Sequence, residues 1–189
     1  MAAPDTAQRI LDIAERLVQT RGFNGFSYAD IAQALKVTKA SLHYHFPAKS
    51  DLGARLIERY ERNFLAALAT IDGKTDDARE KLRRYAALYE DVLSDNRMCL
   101  CGMLAAEFGT LPKAMRDEMR HYFDANERWL VAVLQQGKKD KTLKFQGSAA
   151  EVAQSLVGAL EGAMMIARSY ADVARFKSSA DRTLASLAA

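Results

Sequence analysis

Residues Val37–Leu52 read VTKASLHYHFPAKSDL. This stretch carries Lys39, His43, Tyr44, His45 and Lys49 with no acid before Asp51, in a chain whose 27 Lys and Arg nearly match its 24 Asp and Glu. Thr38 is a good N-cap, so a short helix is predicted from there to about His45. Leu42 and Phe46 lie four apart on one face and are expected to anchor it. Lys39, Ala40, His43 and Tyr44 are then left facing outward. A solvated helix usually mixes acids with bases to form i,i+4 pairs. This one has none, and from Ile31 through Ser50 there is no Asp or Glu while Lys36, Lys39 and Lys49 add positive charge. Such a surface fits a phosphate backbone.

Upstream, a first helix is expected from Asp5 or Thr6, where Asp5 and Gln8 make a capping-box pattern. Its apolar stripe is Ile10, Ile13, Ala14, Leu17 and Val18. Gly22 is a natural left-handed stop, with Phe23 placed to fold back. Asn24-Gly25 reads as a turn, and Ser27 with Asp30 caps a second helix whose Ile31, Ala32 and Leu35 point inward. Lys36-Val37-Thr38 interrupts that helix. Pro47 suits the first turn of a long fourth helix reaching about Thr70. Two short helices joined by a tight turn make a helix-turn-helix; a corner in any helical bundle looks similar, and the chemistry of the third helix favours the former.

Over 189 residues there are only 3 prolines and 10 glycines, and strict apolar alternation is almost absent, so the fold class is all-α. The net charge of +3 confines any nucleic-acid footprint to a local patch. No cationic segment leads into an apolar stretch and no apolar run is long enough for a bilayer, so a cytoplasmic protein without a membrane partner is expected. Cys99 and Cys101 are too close together to staple a fold.

The segment ILDIAERLVQTRGFNGFSYADIAQALKVTKASLHYHFPAKSDL resembles the DNA-binding domain of the TetR family of bacterial transcriptional regulators, through the RGF turn, the S-x-x-D-I-A cap and L-H-Y-H-F-x-x-K in one register. The resemblance covers about Thr6 to Arg62. It departs at Tyr28, where the family usually has Thr, and at Lys36, where a Gly commonly ends the helix. It implies that Lys39, Ala40, His43 and Tyr44 face bases in the major groove. Lys donates to guanine and the Ala40 methyl suits thymine. Ser27, Tyr28, Thr38 and Lys49 are implied to contact phosphates. His45 is read either as a packed histidine or as a further phosphate contact. A helix-turn-helix domain over residues 1–50, with its connecting helix running to about 70, and a helical regulatory and dimerisation domain over 71–189 follow from the same resemblance.

Farther on, helices are expected near Thr75–Ser94, Met98–Phe108, Pro112–Gln136, Ser148–Tyr170 and Asp172–Leu187, with Gly109 and Gly137 as stops. The basic loop GKKDKTLKFQG reads as a solvated connection. The helix from Ser148 is apolar around much of its circumference, which reads as burial either in the core or against a second copy. Ala153, Val157, Leu160 and Ala163 on a broad face, with Gly158 and Gly162 four apart, are candidates for a homodimer interface. The resemblance implies that Pro112–Gln136 and Ser148–Tyr170 build that interface, which suits a two-fold operator in double-stranded DNA.

A small apolar effector that releases the protein from a palindromic operator is also implied. Its candidate pocket residues are Phe64, Leu68, Tyr85, Tyr89, Met98, Cys101, Met103, Leu104, Phe108, Phe123, Trp129, Met164 and Met165, each of which could equally be ordinary core. Glu107, His121 and Arg168 are charged residues without an assigned role. Cys99 and Cys101 lack the partners of a tetrahedral metal site; they are read as buried structural thiols, with redox or electrophile sensing as the alternative signal. No nucleophile–base–orienter set and no phosphate-cradling Gly loop occurs, so neither catalysis nor a cofactor is expected. A helical protein-binding adaptor would gain little from acid-free faces. The reading is a ligand-responsive dimeric repressor.

Overall fold

The computed structural model describes residues 6–189. The expected cap at Asp5 lies outside them. Among the described residues there are nine α-helices and no strand: α1 (Thr6–Arg21), α2 (Tyr28–Leu35), α3 (Lys39–His45), α4 (Lys49–Lys74), α5 (Ala78–Ser94), α6 (Leu100–Ala106), α7 (Lys113–Lys139), α8 (Ala149–Ser169) and α9 (Val173–Ala185). They form two compact units: residues up to Glu61 with Leu100–Tyr122, and Arg62–Cys99 with Phe123–Ala189.

The first unit is built as its apolar periodicity requires. Ile10, Ala14 and Val18 of α1, Ile31 of α2, Leu42 of α3, and Leu52, Leu56 and Ile57 of α4 are buried. Gly22 adopts φ 81°, the left-handed stop that a residue without Cβ permits, and Phe23 folds back into the core. Ser27 caps α2 reciprocally with Asp30. Lys36 takes up the left-handed C-cap at φ 56°, and its N–H reaches the carbonyls of Ala32 and Gln33. A lysine there does what glycine would do, at some conformational cost. Arg59 on α4 ties α1 down by ion pairs to Asp12 (2.6 Å) and Glu15 (2.7 Å).

In the second unit α8 and α9 pack on each other and on α5. Leu156, Val157, Leu160 and Met164 of α8, Phe176 and Ala180 of α9, and Leu82, Tyr85 and Tyr89 of α5 are buried. Asp77 caps α5 two residues beyond the expected Thr75 start. The predicted stop at Gly137 is corrected: α7 runs through it to Lys139, and Lys141 takes the left-handed conformation instead, at φ 59°. Gly137 is there for packing. A Cβ on it would come within 2.8 Å of the Ala78 Cβ and closer still to Leu143.

Candidate nucleic-acid interface

α3 owes its pose to two buried anchors and one hydrogen bond. Leu42 and Phe46 are buried on its inner side, and the Tyr28 hydroxyl donates to the Phe46 carbonyl at 2.8 Å. Thr38 caps the helix, its Oγ1 accepting the Ser41 N–H at 3.3 Å. With the inner side so committed, Lys39, Ala40, His43 and Tyr44 stand outward, Tyr44 with 84% of its surface exposed. His45 is half-buried, edge-on to Tyr44 with ring centroids 5.1 Å apart.

The His43 ring is held from two sides. It packs on Tyr28 at 4.8 Å between centroids, and its Nδ1 lies 3.1 Å from the Pro47 carbonyl. A carbonyl only accepts, so the neutral ring carries its hydrogen on Nδ1 and leaves Nε2 as an acceptor.

Three expected phosphate contacts are corrected. Tyr28 is only 8% exposed and its hydroxyl is spent on Phe46; burial pushes the phenol up to about 12. It braces α3 from beneath. The Ser27 hydroxyl donates to Asp30 at 2.8 Å and accepts from the Ala29 N–H, so no side-chain donor is left over. Lys49 turns inward. Its ammonium donates to the carbonyls of Phe23 (2.5 Å) and Phe26 and lies 4.5 and 4.2 Å from the centroids of their rings. Burial lowers its pKa, against the opposing pull of Glu107 and Asp30. Lys49 thus staples α4 to the turn before α2. Thr38 keeps its place as a phosphate candidate, because its cap role uses only the oxygen as acceptor.

Glu107, left without a role by the sequence, closes the same turn. Its carboxylate accepts the N–H groups of Phe23 (2.6 Å) and Asn24 (3.2 Å), and the Asn24 amide donates to Thr110 at 2.8 Å. A Cβ on Gly22 would meet that carboxylate at 2.8 Å. No local pattern announces a contact made across more than eighty residues.

Residues 10–56 match the family model of bacterial regulatory proteins of the tetR family, and residues 78–182 match that of the tetracyclin repressor-like C-terminal domain. The chain belongs to the TetR family. A TetR-family regulator from Agrobacterium tumefaciens superimposes with a TM-score of 0.94 at 35% identity, covering 97% of each chain. A TetR regulator from Legionella pneumophila gives 0.90 at 31%, over 99% of this chain and 100% of that one. The transcriptional repressor DhaR of Mycobacterium sp. is 23% identical over 87% of this chain and 83% of its own. TetR-family members are DNA-binding transcriptional regulators, and this chain is therefore one of them.

The residues expected to line an effector pocket of this TetR-family chain divide between the two units. Cys101, Met103, Leu104 and Phe108 fall in the first; Phe64, Leu68, Tyr85, Tyr89, Met98, Phe123, Trp129 and Met164 fall in the second. Met165 is corrected: it is 53% exposed, on the outer face of α8 with Ile166. Three dimer candidates are corrected as well. Ala153, Val157 and Leu160 are buried within their own unit. Gly158 and Gly162 face open space, with nothing within 4 Å of a Cβ placed on either, and Ala163 is half-buried. Cys99 and Cys101 are both buried and unbridged. Among the described residues no helix is long and apolar enough to cross a membrane, and no cluster of three metal-ligating side chains occurs.

Proposed function

We propose that the protein is a dimeric repressor that holds a two-fold operator through α3 and leaves it when a small effector occupies the second unit. The outward face of α3 carries this reading. Lys39, Ala40, His43 and Tyr44 stand free of the core on a helix fixed by Leu42, Phe46 and Tyr28, in a stretch with no acid. Pre-positioned side chains lose little entropy on entering a groove, and a surface without carboxylates does not repel phosphates. The outer face of α8, with Gly158, Gly162, Met165 and Ile166, is the surface we assign to the second copy; two linked recognition helices then read successive half-sites. The effector acts by favouring a state in which the pair no longer matches the operator.

Selection of bound duplexes from a random pool tests the reading. A two-fold symmetric site is expected, and Tyr44→Ala or Lys39→Ala should lower operator affinity at least tenfold while the dimer mass and helical circular dichroism stay unchanged. Gel shifts indifferent to both substitutions would reject the assignment. Sensing through Cys99 or Cys101 is disfavoured by the burial of both thiols, which shields them from oxidants.

A further inference from the structure

In the interior of the second unit one polar group is left without a match. Tyr85 of α5 donates its hydroxyl hydrogen to Asn126 Oδ1 of α7 at 2.9 Å. The Tyr89 hydroxyl lies 3.0 Å from that of Tyr85, and Asn126 Nδ2 donates to Tyr89 at 3.4 Å. Each hydroxyl has one hydrogen, so with Tyr85 donating to Asn126, Tyr89 donates to Tyr85 and the ring of three closes on itself. Neither phenol has a hydrogen to spare for Glu161 of α8, whose field reaches both. Both Glu161 carboxylate oxygens are buried and unmatched by any nitrogen or oxygen donor among the described residues. The Cys99 thiol, a weak donor, is the group directed at them. Glu161 as a whole is nevertheless only half-buried, although both its carboxylate oxygens are enclosed.

A buried carboxylate with only a thiol to donate to it is costly, and the cost falls when a cation arrives. Tyr85, which the Glu161 field reaches, belongs to an aromatic cluster: Trp129 stacks on it with centroids 5.7 Å apart, and Phe64 meets it edge-on at 6.2 Å. Aromatic faces attract ammonium groups and the apolar bodies that carry them. A metal ion is a poor match, because Glu161 and Cys99 do not amount to a coordination set.

We infer that Glu161 anchors a small organic cation, a primary ammonium on an aromatic or aliphatic body, and that this is the chemical class of the effector. The inference rests on the regulator reading for its biological meaning, but the site can be tested by itself. Burial raises the Glu161 carboxyl to about 7, so at neutral pH an arriving ammonium displaces a proton. The ionisable groups facing it are Cys99, Tyr85 and Tyr89, and burial holds both phenols protonated throughout the neutral range.

The chain has a single tryptophan, Trp129, stacked on Tyr85 in this cluster, so its fluorescence reports on the site. Titrating the full chain with 2-phenylethylammonium should give a saturable change at least tenfold tighter than with the isosteric, uncharged 2-phenylethanol, and tighter at pH 8 than at pH 6. Glu161→Gln copies the protonated acid in size and should fold. It should lose both the preference for the cation and the pH dependence. A Glu161→Gln protein that binds the ammonium as tightly as the parent, or a parent without preference for it at pH 8, overturns the inference. Gel shifts on the selected operator separate the two claims. Ammonium bound through Glu161 without DNA release would leave the cation site standing and sink its assignment as the effector site; release by uncharged compounds, equal in Glu161→Gln, would leave the repressor reading standing and sink the cation as its effector.

Discussion

Several residues do something other than what their type suggests. Tyr28 has the hydroxyl of a phosphate ligand, yet its nearest acceptor is the Phe46 carbonyl. Tyr28→Phe should therefore lower thermal stability by about 1 kcal/mol, the worth of one buried hydrogen bond, and leave the salt dependence of DNA binding unchanged. A flatter salt slope in that variant would restore Tyr28 to the phosphate contacts. Glu161 gives a pH signature. Its folded pKa, raised by burial to about 7, lies above the value near 4.5 expected when unfolded, so the folded state binds the extra proton between those values. Stability then falls as pH rises from about 4.5 to 7, on the order of 3 kcal/mol at most, and levels off above. Thermal melts across that range should show the decline in the parent and lose it in Glu161→Gln. The sequence did hold a hint, since Glu161 is the one acid between Glu151 and the end of the largely apolar α8. Its lack of a partner was not visible there.

At the scale of elements, helix type and order follow from apolar spacing and caps, because those are short-range effects. Ser27, Thr38 and Ser148 cap α2, α3 and α8 as the pattern requires. Lys36 is the exception worth exploiting. It closes α2 in a conformation that favours glycine, so Lys36→Gly should raise the melting temperature of the regulator by the equivalent of about 0.5–1 kcal/mol without altering α3. A lower melting temperature would show that the lysine side chain contributes more than its backbone strain costs. Gly137 teaches the converse: a glycine in a helical pattern can mark a close neighbour rather than an end, and only the neighbour, Ala78 or Leu143, reveals which.

For the molecule as a whole, dimerisation is where surface and function meet. Gly158 looks into open space, so Gly158→Glu should leave the protomer folded, while a second copy could not approach past a buried charge. Light scattering should then report a monomer, with operator affinity reduced at least tenfold because one recognition helix binds alone. A dimer that survives the substitution would move the interface elsewhere on the surface.

Composition, spacing and caps were sufficient for the all-α class, the helix-turn-helix and the outward set Lys39, Ala40, His43 and Tyr44, since each depends on neighbours within about one helical turn. Which donors were already spent was settled only in three dimensions. The inward turn of Lys49, the Glu107 hold on Phe23 and Asn24, the Tyr85–Tyr89–Asn126 ring and the burial of Ala153, Val157 and Leu160 all depend on partners distant in the chain. A hydrogen-bonding group is satisfied by whatever lies within about 3 Å of it, and chain order does not encode that distance until the helices pack.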